Sequence, residues 1–384
     1  MLTVVLPPTA KRAAFGWPIH RTIGAFRNGA NAPGACMAGK PSHTTGRPRV
    51  VVTRRIFPDL AEELTRRYEV LDNQGDEDWS AQELIARLAD ADGLLTDPAR
   101  RIDGPILEQC SRLCVVSNIA VGFNNIDLTA CTRAGIVATN TPDVLNDATA
   151  DHAWALIMAA ARRVVESDRW TRAGKWQRFA LDAFLGVDVY GGTLGILGMG
   201  RIGRAIARRA QGFCMRVLYH NRHRVPPPVT QTGGAADYAS SAQWVEREQL
   251  LREADFLVVL VPYSPQTHHL IGAAELAQMK PGSVLVNVAR GGVVDDAALV
   301  QALRLGRPGV AALDVMENEP RILPELLALE NVVLTPHIAS ATRTARRAMV
   351  LRAIENLDQV LQGQRPSAVI NPEVWERRRR IEAR

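Results

Sequence analysis

Three motifs with charged side chains each follow an apolar segment that is typical of a buried strand. Arg290 stands in NVARGG, Glu319 in LDVMENEP and His337 in TPHIASAT. Ligands of open parallel sheets bind outside the carboxyl ends of the strands, so these residues are candidates for one site. An imidazole exchanges protons near neutral pH, and a guanidinium can bind a carboxylate through two hydrogen bonds. Taken singly, each has a structural alternative: a loop histidine, a surface ion pair or a turn residue.

A glycine-rich turn supplies a second candidate site. Gly198, Gly200 and Gly203 form the pattern G-x-G-x-x-G after the apolar segment 193–197 and before a helical pattern. The first glycine permits a tight turn, the second lets the backbone approach a pyrophosphate, and the third lets helix and strand pack closely. The helix N-terminus adds amide donors and a favourable dipole. In this context the pattern predicts a dinucleotide site rather than a turn without a ligand.

The residues after the next predicted strand indicate which dinucleotide is bound. NAD sites usually offer a carboxylate about 20 residues beyond the glycines, to hold the ribose hydroxyls. Here no acidic residue occurs between Gly203 and Asp237, and the predicted strand 217–219 is followed by His-Asn-Arg-His-Arg. Arg222 is placed to bind a 2′-phosphate, with Asn221 and His223 as polar neighbours. We therefore expect NADP(H) to be preferred, with NAD(H) possible; a solvated basic loop is the alternative.

Together these motifs resemble the D-isomer-specific 2-hydroxyacid dehydrogenase family. GMGRIG, NVARGG, LDVMENEP and TPHIASAT occur in the family's order, and the resemblance covers roughly residues 49–372. The segment IAVGFNNID at 119–127 and the Asn-Arg-His sequence are similar to the glyoxylate/hydroxypyruvate reductase and 2-ketogluconate reductase branch. Asn124 departs from the Asp of many members. We expect little effect, because this stretch contributes mainly backbone amides in the family.

The resemblance implies a role for each charged residue in reducing a 2-oxo acid. His337 would donate the proton, Glu319 would orient its ring, and Arg290 would bind the substrate carboxylate and polarise the carbonyl. Glu317 competes for the role of Glu319, and the family pattern favours the glutamate directly before proline. The backbone amides of Val121 and Gly122 would complete the substrate site, together with Arg290 and His337. No His/Asp/Glu spacing indicates a catalytic metal, and we interpret His268 and His269 as structural.

The resemblance also implies a set of cofactor contacts, and Asp314 among them would receive the nicotinamide carboxamide. The predicted cofactor-binding residues are Gly198, Gly200, Arg201, Ile202, Gly203, Asn221, Arg222, His223, Pro262, Thr267, Val288, Ala289 and Asp314.

The pattern of predicted strands and helices that position these residues indicates an α/β fold. Short apolar segments alternate with helical patterns from about residue 49 to 337, which is typical of parallel sheets covered on both faces. We predict two Rossmann-like domains, with the cofactor domain inserted into a discontinuous substrate domain. We expect a helical pattern at 147–163 to bridge the two domains, with a hinge at 147–152 and a return crossing near residue 337. The predicted boundaries are 49–146 and 338–372 for the substrate domain, 147–337 for the cofactor domain, 1–48 for a disordered extension and 373–384 for a solvated basic tail.

Charge and composition exclude other classes of protein. The 384 residues carry a net charge of +6, but residues 1–49 hold seven basic and no acidic residues, and 375–384 hold five Arg and two Glu. The folded part is therefore acidic, which argues against nucleic-acid binding. The sequence contains no run of 18 apolar residues, so it predicts no membrane-spanning helix. Five cysteines without a CxxC motif favour a reducing compartment, and we expect a cytoplasmic protein. The basic leader could alternatively be an over-long translation start or a targeting peptide.

We therefore predict an NADPH-dependent reductase that converts small 2-oxo acids to D-2-hydroxy acids. Glyoxylate and hydroxypyruvate are the leading substrates, and 2-ketogluconate is a further candidate. The resemblance implies a homodimer. The alternative function is a dinucleotide-sensing regulator that resembles the corepressors built on this fold.

Overall fold

The computed structural model describes residues 46–225 and 242–381. The predicted disordered extension lies outside these residues except for its last three. In the described part of the chain, no helix has both the length and the apolar character needed to cross a bilayer.

The first sheet has five parallel strands in the order β2-β1-β3-β4-β5. Its core strands are apolar and buried, and helices cover both faces. The last long helix of the chain returns to this sheet and packs against β3, β4 and β5. The strands are β1 Arg49–Val52, β2 Glu69–Leu71, β3 Gly93–Thr96, β4 Val115–Asn118 and β5 Val137–Thr139; the helices are α1 Pro58–Arg67, α2 Ala81–Leu88, α3 Gly104–Glu108, α4 Leu128–Arg133 and the returning α12 Arg343–Leu361.

The second sheet has seven parallel strands, whose order places β6 beside β9 at the point where the chain reverses direction across the sheet. In such sheets this switch point is where ligands bind. The order is β12-β11-β10-β9-β6-β7-β8. The strands are β6 Thr193–Leu197, β7 Arg216–His220, β8 Gln243–Trp244, β9 Phe256–Val259, β10 Val284–Asn287, β11 Val310–Leu313 and β12 Val332–Leu334; the helices are α5 Asn146–Ala161, α6 Val164–Arg172, α7 Arg201–Ala210, α8 Arg247–Glu253, α9 Ala273–Leu276, α10 Asp296–Arg304 and α11 Pro324–Leu327.

The two all-parallel sheets confirm the predicted fold class. Among the described residues, the structure adds β8, a two-residue edge strand that the sequence pattern did not indicate. Strand β10 ends at Asn287. Its side chain accepts a hydrogen bond from the amide of Ala289 at 3.0 Å, which turns the chain out of the sheet.

The C-terminal segment corrects the prediction of a solvated tail from residue 373. Residues Pro372–Arg377 form a 3-10 helix, and Val374 and Trp375 are buried in the core of the first sheet. The Arg378 guanidinium lies 3.7 Å from the centroid of the Trp375 ring. The amide of Arg379 donates to the carbonyl of Gly135 at 2.8 Å. The two apolar side chains anchor the segment, and the guanidinium groups of Arg378 and Arg379 donate to the carbonyls of Trp375 and Cys110.

Candidate active site

The glycine turn has the geometry that a bound pyrophosphate requires. Gly198 has a φ of +111°, and a Cβ on Gly203 would lie 2.7 Å from the carbonyl oxygen of Gly198, so both positions need glycine. Above Gly200 there is open space: apart from its neighbours in the chain, no atom of the described residues lies within 4 Å of the position that a Cβ would occupy. Helix α7 starts at the next residue and presents its free amides there. These residues fit a dinucleotide.

Arg201 and Ile202, both predicted cofactor contacts, face other parts of the chain. Nε of Arg201 lies 2.9 Å from Oδ1 of Asp143, which precedes α5. The side chain of Ile202 packs against the small apolar cluster around Leu145. In this conformation their side chains connect the glycine turn to the segment between the two sheets.

The predicted polar group after β7 divides into two parts. Asn221 is turned inward: its Oδ1 accepts the amide of Met199 at 2.6 Å, so it braces the glycine turn. Arg222 and His223 are exposed to solvent. The Arg224 guanidinium lies 4.9 Å from the centroid of the Trp244 ring on β8, a contact that the sequence pattern did not indicate.

The other predicted cofactor contacts lie beyond the carboxyl ends of β9 and β10. Oγ1 of Thr267 donates to the carbonyl of Pro262 at 2.7 Å and accepts from the amide of Ser264 at the same distance, which closes the loop after β9. Val288 and Ala289 are buried just beyond the end of β10.

Asp314, the predicted partner of the nicotinamide carboxamide, is bound by the loop that carries His337. Its side chain is completely buried, and its two oxygens accept from Oγ1 of Thr335 and from the amides of Ile338 and Ala339, at 2.6 to 2.8 Å. Nε2 of His152, on α5, lies 3.1 Å from the same threonine hydroxyl. In this conformation, Asp314 positions the loop that carries His337, and its contact with the carboxamide stays a prediction.

His337 and Glu319 form a direct pair. Nδ1 of His337 lies 2.8 Å from Oε2 of Glu319, and Oε1 of that carboxylate accepts the amide of Met316 at 2.9 Å. The backbone of His337 has a φ of +54°, a left-handed conformation that is costly for a residue with a side chain. The carbonyl of Asp314 accepts its amide at 2.9 Å and holds it there. The orientation of the His337 ring is therefore fixed by its contact with Glu319 and by the hydrogen bond of its backbone amide.

The position of Glu317 distinguishes it from Glu319. Its Oε1 lies 2.7 Å from Nε2 of His269, so the two glutamates of one loop face two different histidines. Since only Glu319 contacts His337, this geometry favours Glu319 for the orienting role.

Arg290 lies where the carboxyl edges of the two sheets meet. Its NH1 donates to the carbonyl of Ala289 at 2.6 Å. Its NH2 lies over Gly122, where a Cβ would be only 1.9 Å away. Desolvation lowers the pKa of Arg290, while the charge of Glu319 opposes that change. The three predicted catalytic residues and Gly122 are thus brought into one region.

Asparagines that the sequence analysis did not select organise the substrate side of this region. Asn140 donates to the carbonyl of Val121 at 2.7 Å, and Asn118 donates to the carbonyl of Gly122 at 2.9 Å. Oδ1 of Asn124 accepts from Nε of Arg290 at 3.2 Å, a side-chain contact in the stretch for which mainly backbone contacts were expected. Asn118 ends a strand of the first sheet, and Asn140 directly follows another. The charged motifs were identified by the same criterion, a position at the end of a strand.

One group of possible metal ligands occurs among the described residues: His268, His269 and Glu317. The two imidazoles stack with centroids 3.9 Å apart and planes 24° from parallel. A metal bound to histidine lies in the ring plane about 2 Å from nitrogen. Nearly parallel rings cannot both direct an in-plane lone pair at one ion, so the arrangement does not suit a metal.

Comparisons with known proteins identify relatives of this chain. The family model described as D-isomer specific 2-hydroxyacid dehydrogenase, NAD binding domain, matches residues 154–339. Glyoxylate reductase of Thermococcus gammatolerans is 44% identical over 85% of this chain and 97% of its own length. Glyoxylate reductase of Aeropyrum pernix is 46% identical with the same coverage. The crystal structure of NADPH-dependent glyoxylate/hydroxypyruvate reductase from Sinorhizobium meliloti has a TM-score of 0.72 and 33% identity, over 85% of this chain and 98% of that one.

Proposed function

We propose a substrate class and a cofactor preference for this chain, which belongs to the D-isomer-specific 2-hydroxyacid dehydrogenase family. It is an NAD(P)-dependent oxidoreductase. The proposed reaction is the reduction of glyoxylate and hydroxypyruvate to D-2-hydroxy acids, with 2-ketogluconate as a further candidate. The observation that carries this proposal is that Arg290, Glu319 and His337 approach one another beside Gly122, within a family whose relatives include glyoxylate reductases.

Each residue of the proposed active site has a separate role in the reaction. The bound nicotinamide dinucleotide supplies the hydride. His337 donates a proton to the oxygen of the carbonyl that is reduced, and Glu319 holds the ring by its Nδ1 so that Nε2 is the nitrogen directed away from the pair. Arg290 binds the substrate carboxylate and draws electron density from the adjacent carbonyl. The main-chain amides of Val121 and Gly122 complete the site on the side of the first sheet.

The proposed preference for NADPH rests on Arg222. It is exposed just beyond β7, where an NAD site would usually offer a carboxylate. A planar guanidinium there can bind a 2′-phosphate with two hydrogen bonds. The reductase from Sinorhizobium meliloti, which has the same fold, is described as NADPH-dependent. A kcat/KM with NADH more than tenfold above that with NADPH would overturn this part of the proposal.

We propose the domain boundaries at the two places where the chain passes between the sheets. The first lies between β5 and α5, near residue 146, and the second follows β12, near residue 337. This division gives a substrate domain of residues 49–146 and 338–372 around a cofactor domain of residues 147–337. Domains joined in this way can close on a substrate and exclude water. Small-angle scattering with and without NADPH and oxalate would test for such closure, and identical curves would argue against it.

We also propose that the protein is a homodimer. Large apolar side chains are exposed along α6 and the following segment, which is unusual for a surface that faces water. A buried subunit interface would explain them. Light scattering of the purified protein should give twice the chain mass of 42.0 kDa, and a monomer at micromolar concentration would contradict the proposal. The exposed side chains are Val164, Trp176, Phe179, Leu181, Leu185, Val187 and Tyr190.

One assay tests the central proposal. Purified protein is incubated with NADPH or NADH and a panel of glyoxylate, hydroxypyruvate, 2-ketogluconate and pyruvate, and the loss of absorbance of the reduced dinucleotide is followed. We expect the highest kcat/KM with glyoxylate or hydroxypyruvate and NADPH. Dinucleotide binding without turnover of any 2-oxo acid would instead support the regulator that the sequence left as an alternative.

A further inference from the structure

Trp244 contacts the chain segment that carries Arg222. It lies on the edge strand β8, opposite Tyr219 of β7. Its indole Nε1 donates to the main-chain carbonyl of Asn221 at 3.1 Å. The side chain of Asn221 in turn accepts the amide of Met199 at 2.6 Å. Trp244 therefore fixes the main chain directly before Arg222 relative to the glycine turn.

The ring of the same indole contacts a second cation, Arg224. The Arg224 guanidinium lies over the Trp244 ring, 4.9 Å from its centroid, which is within the range of a cation–π contact. A guanidinium can contact a ring with its face and an anion with the N–H groups of its edge. Arg222 and Arg224 are exposed, and their guanidinium groups form no hydrogen bond with another described residue. Both cations are thus available to a bound phosphate.

The segment 221–225 is held at both ends. Its last amide, that of Val225, donates to the hydroxyl of Tyr219 at 3.2 Å. Just before its start, the ring of His220 lies beside the Trp244 ring, with centroids 5.8 Å apart. A segment that is already ordered loses less freedom when it binds a ligand. The positions of its side chains are therefore set before a dinucleotide arrives.

The charge of a 2′-phosphate favours more than one cation. A phosphate monoester carries about −1.5 to −2 charges at pH 7, and Arg222 alone supplies one positive charge. A second guanidinium two residues along the same segment brings the total close to neutrality. No acidic residue occurs between Gly203 and Asp237, so no carboxylate of that stretch opposes the two cations.

We propose that Trp244 is a positioning residue for dinucleotide specificity: it holds Arg224 as a second cation for the 2′-phosphate of NADPH, beside Arg222. This inference rests on the proposed preference for NADPH. The alternative is that Trp244 only fills the edge of the sheet. In that case its loss would affect NADPH and NADH alike, because the two differ only in the 2′-phosphate.

The test measures equilibrium binding of NADPH and NADH by titration calorimetry, without any 2-oxo acid, so that no turnover is needed. The ratio of the two Kd values isolates the contribution of the 2′-phosphate. For Arg224→Ala we expect Kd for NADPH to rise about tenfold, because one charge-assisted contact is lost, and Kd for NADH to change less than about twofold. For Trp244→Leu we expect a rise of about fivefold for NADPH and again little change for NADH.

Three comparisons separate positioning from a general loss of structure. Trp244→Phe keeps a ring beneath Arg224 and loses only the N–H group, so Kd for NADPH should stay within about threefold of the wild type. The double variant Trp244→Leu/Arg224→Ala should bind NADPH within about twofold of Arg224→Ala, because Trp244 acts mainly through Arg224. Arg87→Ala is the matched control: its guanidinium lies 4.2 Å from the centroid of the Trp79 ring in the core of the first sheet, and its loss should leave both Kd values unchanged.

Two results would overturn the inference while the proposed preference for NADPH stands. Equal weakening of NADPH and NADH binding in Trp244→Leu would show a structural role only, and wild-type affinity for NADPH in Arg224→Ala would leave Arg222 as the cation that recognises the phosphate. If Trp244→Leu does not fold, Arg224→Ala still decides, because it changes an exposed side chain. A wild-type protein that binds NADH as tightly as NADPH would instead refute the proposed preference, and this inference with it.

Discussion

His337 and Glu319 are joined by a 2.8 Å contact between Nδ1 and Oε2, and the other oxygen of the carboxylate is held by the amide of Met316. The pair therefore has one defined orientation, and its remaining ring nitrogen is the one that can serve a substrate. This relationship underlies the first two predictions.

Replacing His337 with Ala should lower kcat by about a thousandfold, since a positioned general acid typically contributes two to four orders of magnitude. NADPH binding should change little, because the glycine turn lies on another loop. Steady-state kinetics and a fluorescence titration with NADPH measure the two effects. Retention of more than a tenth of the activity would show that another group donates the proton.

Glu319→Gln and Glu317→Gln form a matched pair of variants in one loop. We expect Glu319→Gln to lower kcat about thirtyfold, because an amide is a weaker partner for the His337 ring than a carboxylate. Glu317→Gln should stay within about threefold of the wild type, since Glu317 contacts His269 instead and partly exposed ion pairs contribute little. Comparing kcat of the two variants checks this, and a reversed order would exchange their roles.

Gly122→Ala should raise KM for glyoxylate by at least about tenfold. A Cβ at this position would lie 1.9 Å from NH2 of Arg290, so the guanidinium would have to move away from its site. Gly212→Ala is the control, because among the described residues no atom beyond its chain neighbours lies within 4 Å of a Cβ there, and its φ is not left-handed. Equal kinetics for the two variants would mean that Arg290 adjusts freely.

Arg222→Asp should shift the ratio of kcat/KM values toward NADH by at least about tenfold, through loss of the contact to the 2′-phosphate and repulsion of that group. Arg304→Asp changes charge equally on the exposed surface of α10 and should leave the ratio unaltered. The kinetics of both dinucleotides provide the measurement. An unchanged ratio in Arg222→Asp would assign the preference to other residues.

Asp296→Asn should stabilise the protein at alkaline pH. Burial, followed by the charges of Glu317 and Asp295, raises the pKa of Asp296 to about 6. The folded state thus binds this proton more tightly than the unfolded state, and the ionised carboxylate reduces stability above pH 6, an effect that fades as the pH falls toward 4. We expect a gain of about 2 kcal/mol at pH 8 and a much smaller one at pH 4.5. Thermal unfolding at both pH values is the measurement, and an equal gain at both would contradict the assignment.

The sequence determined the fold class, because alternating apolar strands and helices are local patterns that admit few sheet arrangements. It also located the glycine turn and the three charged motifs, since their positions after strands follow from chain order alone. The family was recognisable from the same motifs. The residue type also predicts some local backbone conformations: the positive φ of Gly198 is one that glycine adopts readily.

Only the tertiary structure decided which side chains meet. Arg290 and Asn124 are 166 residues apart in the chain, and no local pattern brings them into contact. The assignment of Glu319 rather than Glu317 to His337 depends on how one loop is turned between two histidines. The burial of Asp314 and of Trp375 was also not visible in the sequence. A side chain's role depends on the partners and solvent around it, and these are set by elements that only packing brings together.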